Sequence, residues 1–226
     1  MNHACQLRQD SSQDAASKSD MCASEIEIVP LERPFIKRAA SIAAAAFRDE
    51  PGATAIIGKT PEKRERILRR HHASRLEVLD LPNGASRCAF LKGEMVGLML
   101  TSAPGQGALS TATMLRLLWK MMLHATPATI WRGFMGSMDD EGHRPKQPHY
   151  YLETLAVEPD LQGRGIGTAM LSHLTGNADQ EGVLICLSTT DPRTIALYEK
   201  HGFRIVAETD QSGAPNYHME RIPKSS

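Results

Sequence analysis

Hydrophobic and polar positions change period several times along this chain of 226 residues, and each change marks an element. Glu25-Ile-Glu-Ile-Val alternates with the period of two of a half-buried strand. Pro34 opens a helix with Ile36, Ala40, Ala43 and Phe47 on one face, and its many alanines predict close packing on a sheet. Asp49-Glu-Pro-Gly ends that helix. Thr60-Pro-Glu predicts an N-cap, with proline at the first helical position and an acid near the dipole's positive end. Ile67, Leu68, His71, Leu76 and Leu79 follow at helical spacing. Residues 85–91 and 95–100 flank Lys92-Gly93-Glu94 and predict a hairpin, in which Gly97 marks a bulge or a close backbone approach.

Further on, Tyr151, Leu152, Leu155 and Val157 lie among polar neighbours and predict a strand over 149–157. Pro159 stops it, having no ladder donor and disfavouring helical geometry at Glu158. Ile166, Ala169, Met170 and Leu174 then recur at helical spacing, residues 183–187 read as a strand, and a helix begins at 192. A last pair of strands covers 203–208 and 216–221. Between the third and fourth strands lies a long insertion, residues 106–148. Met114, Leu117, Leu118, Met121 and Met122 predict an amphipathic helix, and Ile130, Trp131, Phe134 and Met135 a shorter one before a polar loop at 139–148. Two compatible expectations attach to it: a helical layer on the sheet, and an adaptable Met-rich wall for a ligand.

Composition narrows the function. Lys and Arg total 26 and Asp and Glu total 26, so no overall charge favours nucleic acid or an anionic membrane. The basic run from Lys63 to Arg70 is interleaved with Glu65 and reads as a solvated helix face. No apolar run approaches a membrane span. Cys5, Cys22, Cys88 and Cys186 share no Cys-x-x-Cys spacing, and nine histidines show no ligand spacing, so no metal site is expected. Reduced thiols in a cytoplasmic protein are the expectation. Residues 1–24 carry no hydrophobic period and read as a disordered tail before a domain at 25–226, with Met21 an alternative start.

The chemistry centres on Leu155-Ala-Val-Glu-Pro-Asp-Leu-Gln-Gly-Arg-Gly-Ile-Gly167. A strand, a glycine-rich turn and a helix aim free backbone N–H groups at an anion, and glycine lets the backbone approach phosphate. The spelling is neither that of a P-loop nor of the dinucleotide fingerprint. Gln162-x-x-Gly165-x-Gly167 after a Val-x-Pro strand end resembles the coenzyme A pyrophosphate loop of the GNAT N-acetyltransferase superfamily. Downstream, Asp191-Pro-Arg-Thr-Ile-Ala-Leu-Tyr198-Glu-Lys-His-Gly-Phe203 resembles that family's Asn-x-x-Ala-x-x-x-Tyr-Glu-x-x-Gly-Phe segment. The resemblance covers residues 25–221 in order of elements and 149–203 in specific motifs. It implies an α/β (α+β) fold, a mixed, mostly antiparallel twisted sheet of about seven strands with helices on both faces.

The same resemblance implies an acetyl-CoA-dependent N-acetyltransferase acting by direct attack of a primary amine. Backbone groups of Leu155, Ala156 and Val157 would hold the pantetheine arm and orient the thioester. The N–H groups of Gln162, Gly163, Arg164, Gly165, Ile166, Gly167 and Thr168 would hold the pyrophosphate, with charge added by Arg164. Tyr198 matches the family's general acid, since a phenol is protonated at neutral pH and can donate to a departing thiolate. Glu153 is the candidate base, with His149 close by as a substitute. Asp191 stands where many members have Asn, and Thr194 where those resembling the puromycin type often have Asn. Both belong to the cofactor-contacting set. A small-molecule amine is the expected acceptor, with a protein N-terminus or lysine as the alternative. A catalytically silent acyl-CoA-binding regulatory domain is the rival from another class. The oligomeric state stays open.

Overall fold

The computed structural model describes residues 25–105, 110–123 and 126–224. The expected tail, Cys5 and Cys22 lie outside them. β1 (Ile26–Pro30) opens a seven-stranded sheet that continues with β2 (Arg87–Leu91), β3 (Glu94–Ser102), β4 (His149–Val157), β5 (Leu184–Thr189), β6 (Arg204–Gln211) and β7 (Ala214–Arg221). The strand order is β1-β2-β3-β4-β5-β7-β6. Only β4 and β5 run parallel; the other neighbours are antiparallel. The predicted hairpin forms, with Lys92 and Gly93 both at positive φ (53° and 81°), as a tight two-residue turn matched to strand twist requires.

Both readings of Gly97 hold. The ladder shifts register between Ala89 and Phe90, opposite Gly97 and Met95. A Cβ on Gly97 would also sit 2.9 Å from the Met170 sulfur and 3.3 Å from Ile166, so α6 (Ile166–Glu181) packs directly onto this backbone. On that face Met170, Leu171, Leu174, Ile185, Phe203 and Met219 form one core cluster. On the other face lies α1 (Ile36–Phe47), where Ala39, Ala40 and Ala43 meet Leu98, Leu100 and Ala156. Small side chains bring the helix axis close to the sheet, as the alanine pattern predicts.

Three features depart from the sequence reading. A short helix, α2 (Pro51–Ile57), follows α1 directly; Glu50 is its N-cap and accepts from the Ala53 N–H. Next, α3 (Pro61–Arg75) has Thr60 at its N-cap position without a side-chain capping bond, and runs into a π-helical turn at Leu76–Asp80. Arg64, within the basic run, is buried and donates to the backbone oxygens of Arg48 and Lys59 and to Asp49, whereas Lys63, Arg66, Arg69 and Arg70 are exposed as expected.

The third departure is the insertion. It forms α4 (Thr111–Met122) and α5 (Pro127–Gly142), so the second helix is the longer and takes in the start of the expected polar loop. These helices lie chiefly against α2, α3 and the π-turn, and α5 meets the sheet at its C-terminal end, where Asp140 accepts from the Asn216 amide of β7 at 3.1 Å. Trp119 and Trp131 stay 67% and 63% exposed. The side chains of Met121, Phe134 and Met135 lie outside the described set.

Candidate active site

The parallel pairing of β4 with β5 stops at Leu152 opposite Leu187, although β4 continues to Val157 and β5 to Thr189. The two strands part there, and the edge of β4 over residues 153–157 has no β5 partner. Its other edge remains paired with β3. A cavity of about 770 Å³ fills the wedge. Its walls come from β4, the turn after it, the first turns of α6, the end of β5, α7 (Pro192–Lys200) and the α1–α2 turn.

The glycine-rich turn has the geometry an anion needs. Gly163 and Gly165 hold φ of 76° and 84°, a left-handed conformation that is strained for residues with a Cβ. Gly165 is the N-cap of α6 and supplies no side-chain cap, so the first N–H groups of the helix have no side-chain acceptor. The Gln162 side-chain amide donates to the Val157 carbonyl at 3.2 Å, folding the turn back onto β4. Leu155, Val157, Gln162, Gly163, Gly165, Ile166, Gly167 and Thr168 all line the cavity. Ala156 instead is buried under α1, and Arg164 is exposed and does not line it. An uncapped helix N-terminus beside an unpaired strand edge fits the pyrophosphate and amide-rich arm of coenzyme A.

Tyr198 reaches the cavity from α7, its ring edge-on to Phe203 at 5.7 Å. It is 8% exposed. Burial first, and then the carboxylates of Asp191 and Glu50, push its phenol above the usual range, so the hydroxyl stays protonated as a donor. No hydrogen-bond partner occupies that hydroxyl among the described residues. Asp191 caps α7 by accepting from the Arg193 N–H, and its carboxylate also takes the Arg193 guanidinium at 2.7 Å, which lowers its pKa. Thr194 donates to the Asp191 carbonyl at 2.8 Å.

Glu153 sits at a β4 bulge: Leu100 pairs Thr154 while Thr101 pairs Leu152, leaving Glu153 unpaired between them. The bulge turns its carboxylate toward α3 and the end of the insertion. There it accepts from Ser102 at 3.1 Å, Arg75 at 3.3 Å and Arg144 at 3.4 Å. Arg75 also pairs with Asp80 in the π-turn, and Arg144 lies over the Tyr151 ring at 3.7 Å. His149 donates through Nδ1 to the Gln147 carbonyl at its own strand entry, at 2.8 Å, and does not line the cavity.

Glu50 went unnoticed in the sequence and lines the cavity. Its oxygens accept from the Ala53 N–H at 2.9 Å and from the Thr190 hydroxyl. Burial, then the like charge of Asp191, raises its carboxyl above the ordinary range despite the backbone donors. The signal that could have located it is Glu50-Pro51, the same proline at a first helical position that marked Thr60-Pro61. No described residue of α4 or α5 lines the cavity, and α5 comes nearest through Asp140, which accepts from the lining residue Asn216 at 3.1 Å. Cys88 and Cys186 are buried free thiols pushed up to about 12 by desolvation. Among the described residues no metal-binding group occurs and no helix is long and apolar enough to cross a membrane.

Residues 128–205 match the family described as acetyltransferase (GNAT) domain. An uncharacterised protein of Mycobacterium leprae is 33% identical over 84 residues, covering 35% of this chain and 23% of that protein. The match thus spans under a quarter of that relative's length. Among solved structures, the histone acetyltransferase HPA2 and related acetyltransferase of Corynebacterium glutamicum superposes with a TM-score of 0.65 at 21% identity, covering 89% of this chain and 98% of that one. The PaiA N-acetyltransferase of Thermoplasma acidophilum, solved in complex with coenzyme A, gives a TM-score of 0.56 at 14% identity, covering 87% and 98%. At such identities the superpositions bear on the fold.

Proposed function

We propose that this chain, whose residues 128–205 match the acetyltransferase (GNAT) domain family, transfers acetyl from acetyl-CoA to the primary amine of a small molecule. The observation that carries the reading is convergence: an uncapped α6 N-terminus, an unpaired β4 edge and the free Tyr198 hydroxyl all face one cavity. Acetyl-CoA supplies the activated acyl group. The turn at 162–168 holds its diphosphate on backbone N–H groups, and the β4 edge orients the arm so that the thioester reaches the end of β5. Tyr198 donates its proton to the departing sulfur as the C–S bond breaks.

Glu153 lies beside the same cleft, but its carboxylate would have to release Arg75 or Arg144 to take a proton. Its part is to hold those two arginines and so the wall between α3 and the end of the insertion. Asp191 and Thr194 shape the start of α7 and thereby the aim of Tyr198. A cavity of about 770 Å³ is of a size common for small-molecule and cofactor sites, and with acetyl-CoA taking part of it the remaining room suits a small acceptor.

The test is coenzyme A release from acetyl-CoA with a panel of small primary amines and a panel of peptides carrying free N-termini and lysines. Turnover with amines, and little with peptides, is expected. Preferential turnover of peptides would move the acceptor to proteins, and acetyl-CoA binding without turnover of any amine would leave a silent acyl-CoA-binding domain.

A further inference from the structure

Three carboxylates line the cavity, and they differ in what balances them. Glu153 is met by Arg75 and Arg144, and Asp191 by Arg193. Glu50 has no ion-pair partner within 4.0 Å among the described residues. Its donors, the Ala53 N–H and the Thr190 hydroxyl, are both neutral. Arg193, the one cation among the described lining residues, has its guanidinium on Asp191.

A half-buried carboxylate whose hydrogen-bond donors are all neutral is costly, and a cation delivered by a ligand offsets that cost. Glu50 is placed for such a ligand. It is half-buried, opens on the cavity, and is fixed by its capping bond where α2 comes down on the end of β5; the Gly52 N–H also bonds to Thr190, at 2.9 Å. The surrounding wall, Thr190, Gln211 and Asn216, is polar and uncharged.

We propose that Glu50 receives the acceptor's ammonium group in this cleft and takes its proton. The inference rests on the acetyl-transfer reading above. Glu50 accepts one proton from the ammonium and frees the nitrogen lone pair. The N–C bond then forms as the C–S bond breaks, Tyr198 protonates the sulfur, the proton lost by the new amide nitrogen replaces the one Tyr198 gave, and Glu50 releases its proton to solvent before the next turnover. The raised carboxyl suits this role, since a base poised nearer neutrality binds a proton more readily. The charged and titratable groups lining the cavity around it are Asp191, Arg193, Tyr198 and Glu153.

The experiment compares full-length wild type with Glu50→Gln and Glu50→Asp, using 2-phenylethylamine and spermidine as probe amines across pH. Gln keeps an acceptor for the Ala53 N–H, and Asp keeps a carboxylate that also caps helices. The expected result for Glu50→Gln is a loss in kcat/KM of roughly 10²-fold near neutral pH, with partial recovery as pH approaches the amine's own pKa. Acetyl-CoA affinity should stay within about twofold, and Glu50→Asp should restore the wild-type pH dependence at reduced rate. An unchanged pH profile in Glu50→Gln, or equal losses in both variants at every pH, overturns the role of Glu50 while leaving acetyl transfer standing. A wild type that binds acetyl-CoA but acetylates neither probe amine nor any of the panel overturns both.

Discussion

Arg75, the last residue of α3, closes on Glu153 at the β4 bulge with guanidinium and carboxylate 3.3 Å apart. Neither side chain is more than a quarter exposed, at 23% and 18%. The pair draws the helical layer onto the strand whose free edge borders the cavity. The π-turn that follows Arg75 adds Asp80 to the same guanidinium, which gives the irregular turn a purpose in holding the charge.

Glu153→Gln should therefore act chiefly on stability. Two arginines lose a charged partner in a sheltered site, for an expected cost of about 1–3 kcal/mol. The pH dependence of turnover should keep its wild-type shape, in contrast to Glu50→Gln. Denaturant unfolding and a pH–rate profile on the same preparation check both halves. A profile that recovers at high pH would return the role of base to Glu153.

Tyr198→Phe keeps the edge-on contact with Phe203 and removes only the hydroxyl. The expected loss in kcat is roughly 10²-fold, with little change in acetyl-CoA affinity. The loss should shrink with an acyl donor whose leaving group needs less help from a proton. A near-native kcat with acetyl-CoA would remove Tyr198 from the acid's role.

Gly165 occupies φ 84° at the head of α6. Gly165→Val places a β-branched side chain in that conformation, with strain of order 1–3 kcal/mol, and sets methyl groups among the N–H donors. Coenzyme A affinity measured by calorimetry should fall at least tenfold while the fold persists by circular dichroism. Unchanged affinity would place the diphosphate elsewhere.

Asp179 on α6 holds the buried Arg221 of β7 through two hydrogen bonds, of 2.8 and 2.7 Å. The Arg221 contact keeps the Asp179 carboxyl down at about 2, against the ordinary 3.8. A depressed carboxyl contributes stability that is present above the unfolded pKa and is lost as pH falls through the folded one. The contribution should thus disappear between about pH 4 and pH 2. Screening by solvent at the Asp179 side limits it to about 1–2 kcal/mol. Asp179→Asn should flatten that limb of an acid-unfolding curve and lower stability at neutral pH, because a buried guanidinium keeps only the His201 carbonyl and a neutral amide.

Much of the architecture is local and was legible residue by residue. The alternation of β1 and β4, the alanine face of α1, the Lys92-Gly93 turn and the glycines before α6 each state a backbone preference that tertiary packing had no reason to override. The order of these elements, with the two motifs at 155–167 and 191–203, was enough to expect the sheet, the cofactor loop and Tyr198.

What the chain could not disclose in one dimension is how charges pair. Glu50, Glu153 and Asp191 are alike in the sequence, each an acid beside a turn, bulge or helix start. Their partners come from residues far away: Arg75 lies 78 positions from Glu153, and Thr190 lies 140 from Glu50. Only the fold decides that two of these carboxylates meet guanidiniums and the third meets neutral donors. The insertion shows the same limit. Its apolar stripes correctly predicted helices, because periodicity is local, but which surface they would cover depends on shape complementarity with α2 and α3, and no local pattern encodes that.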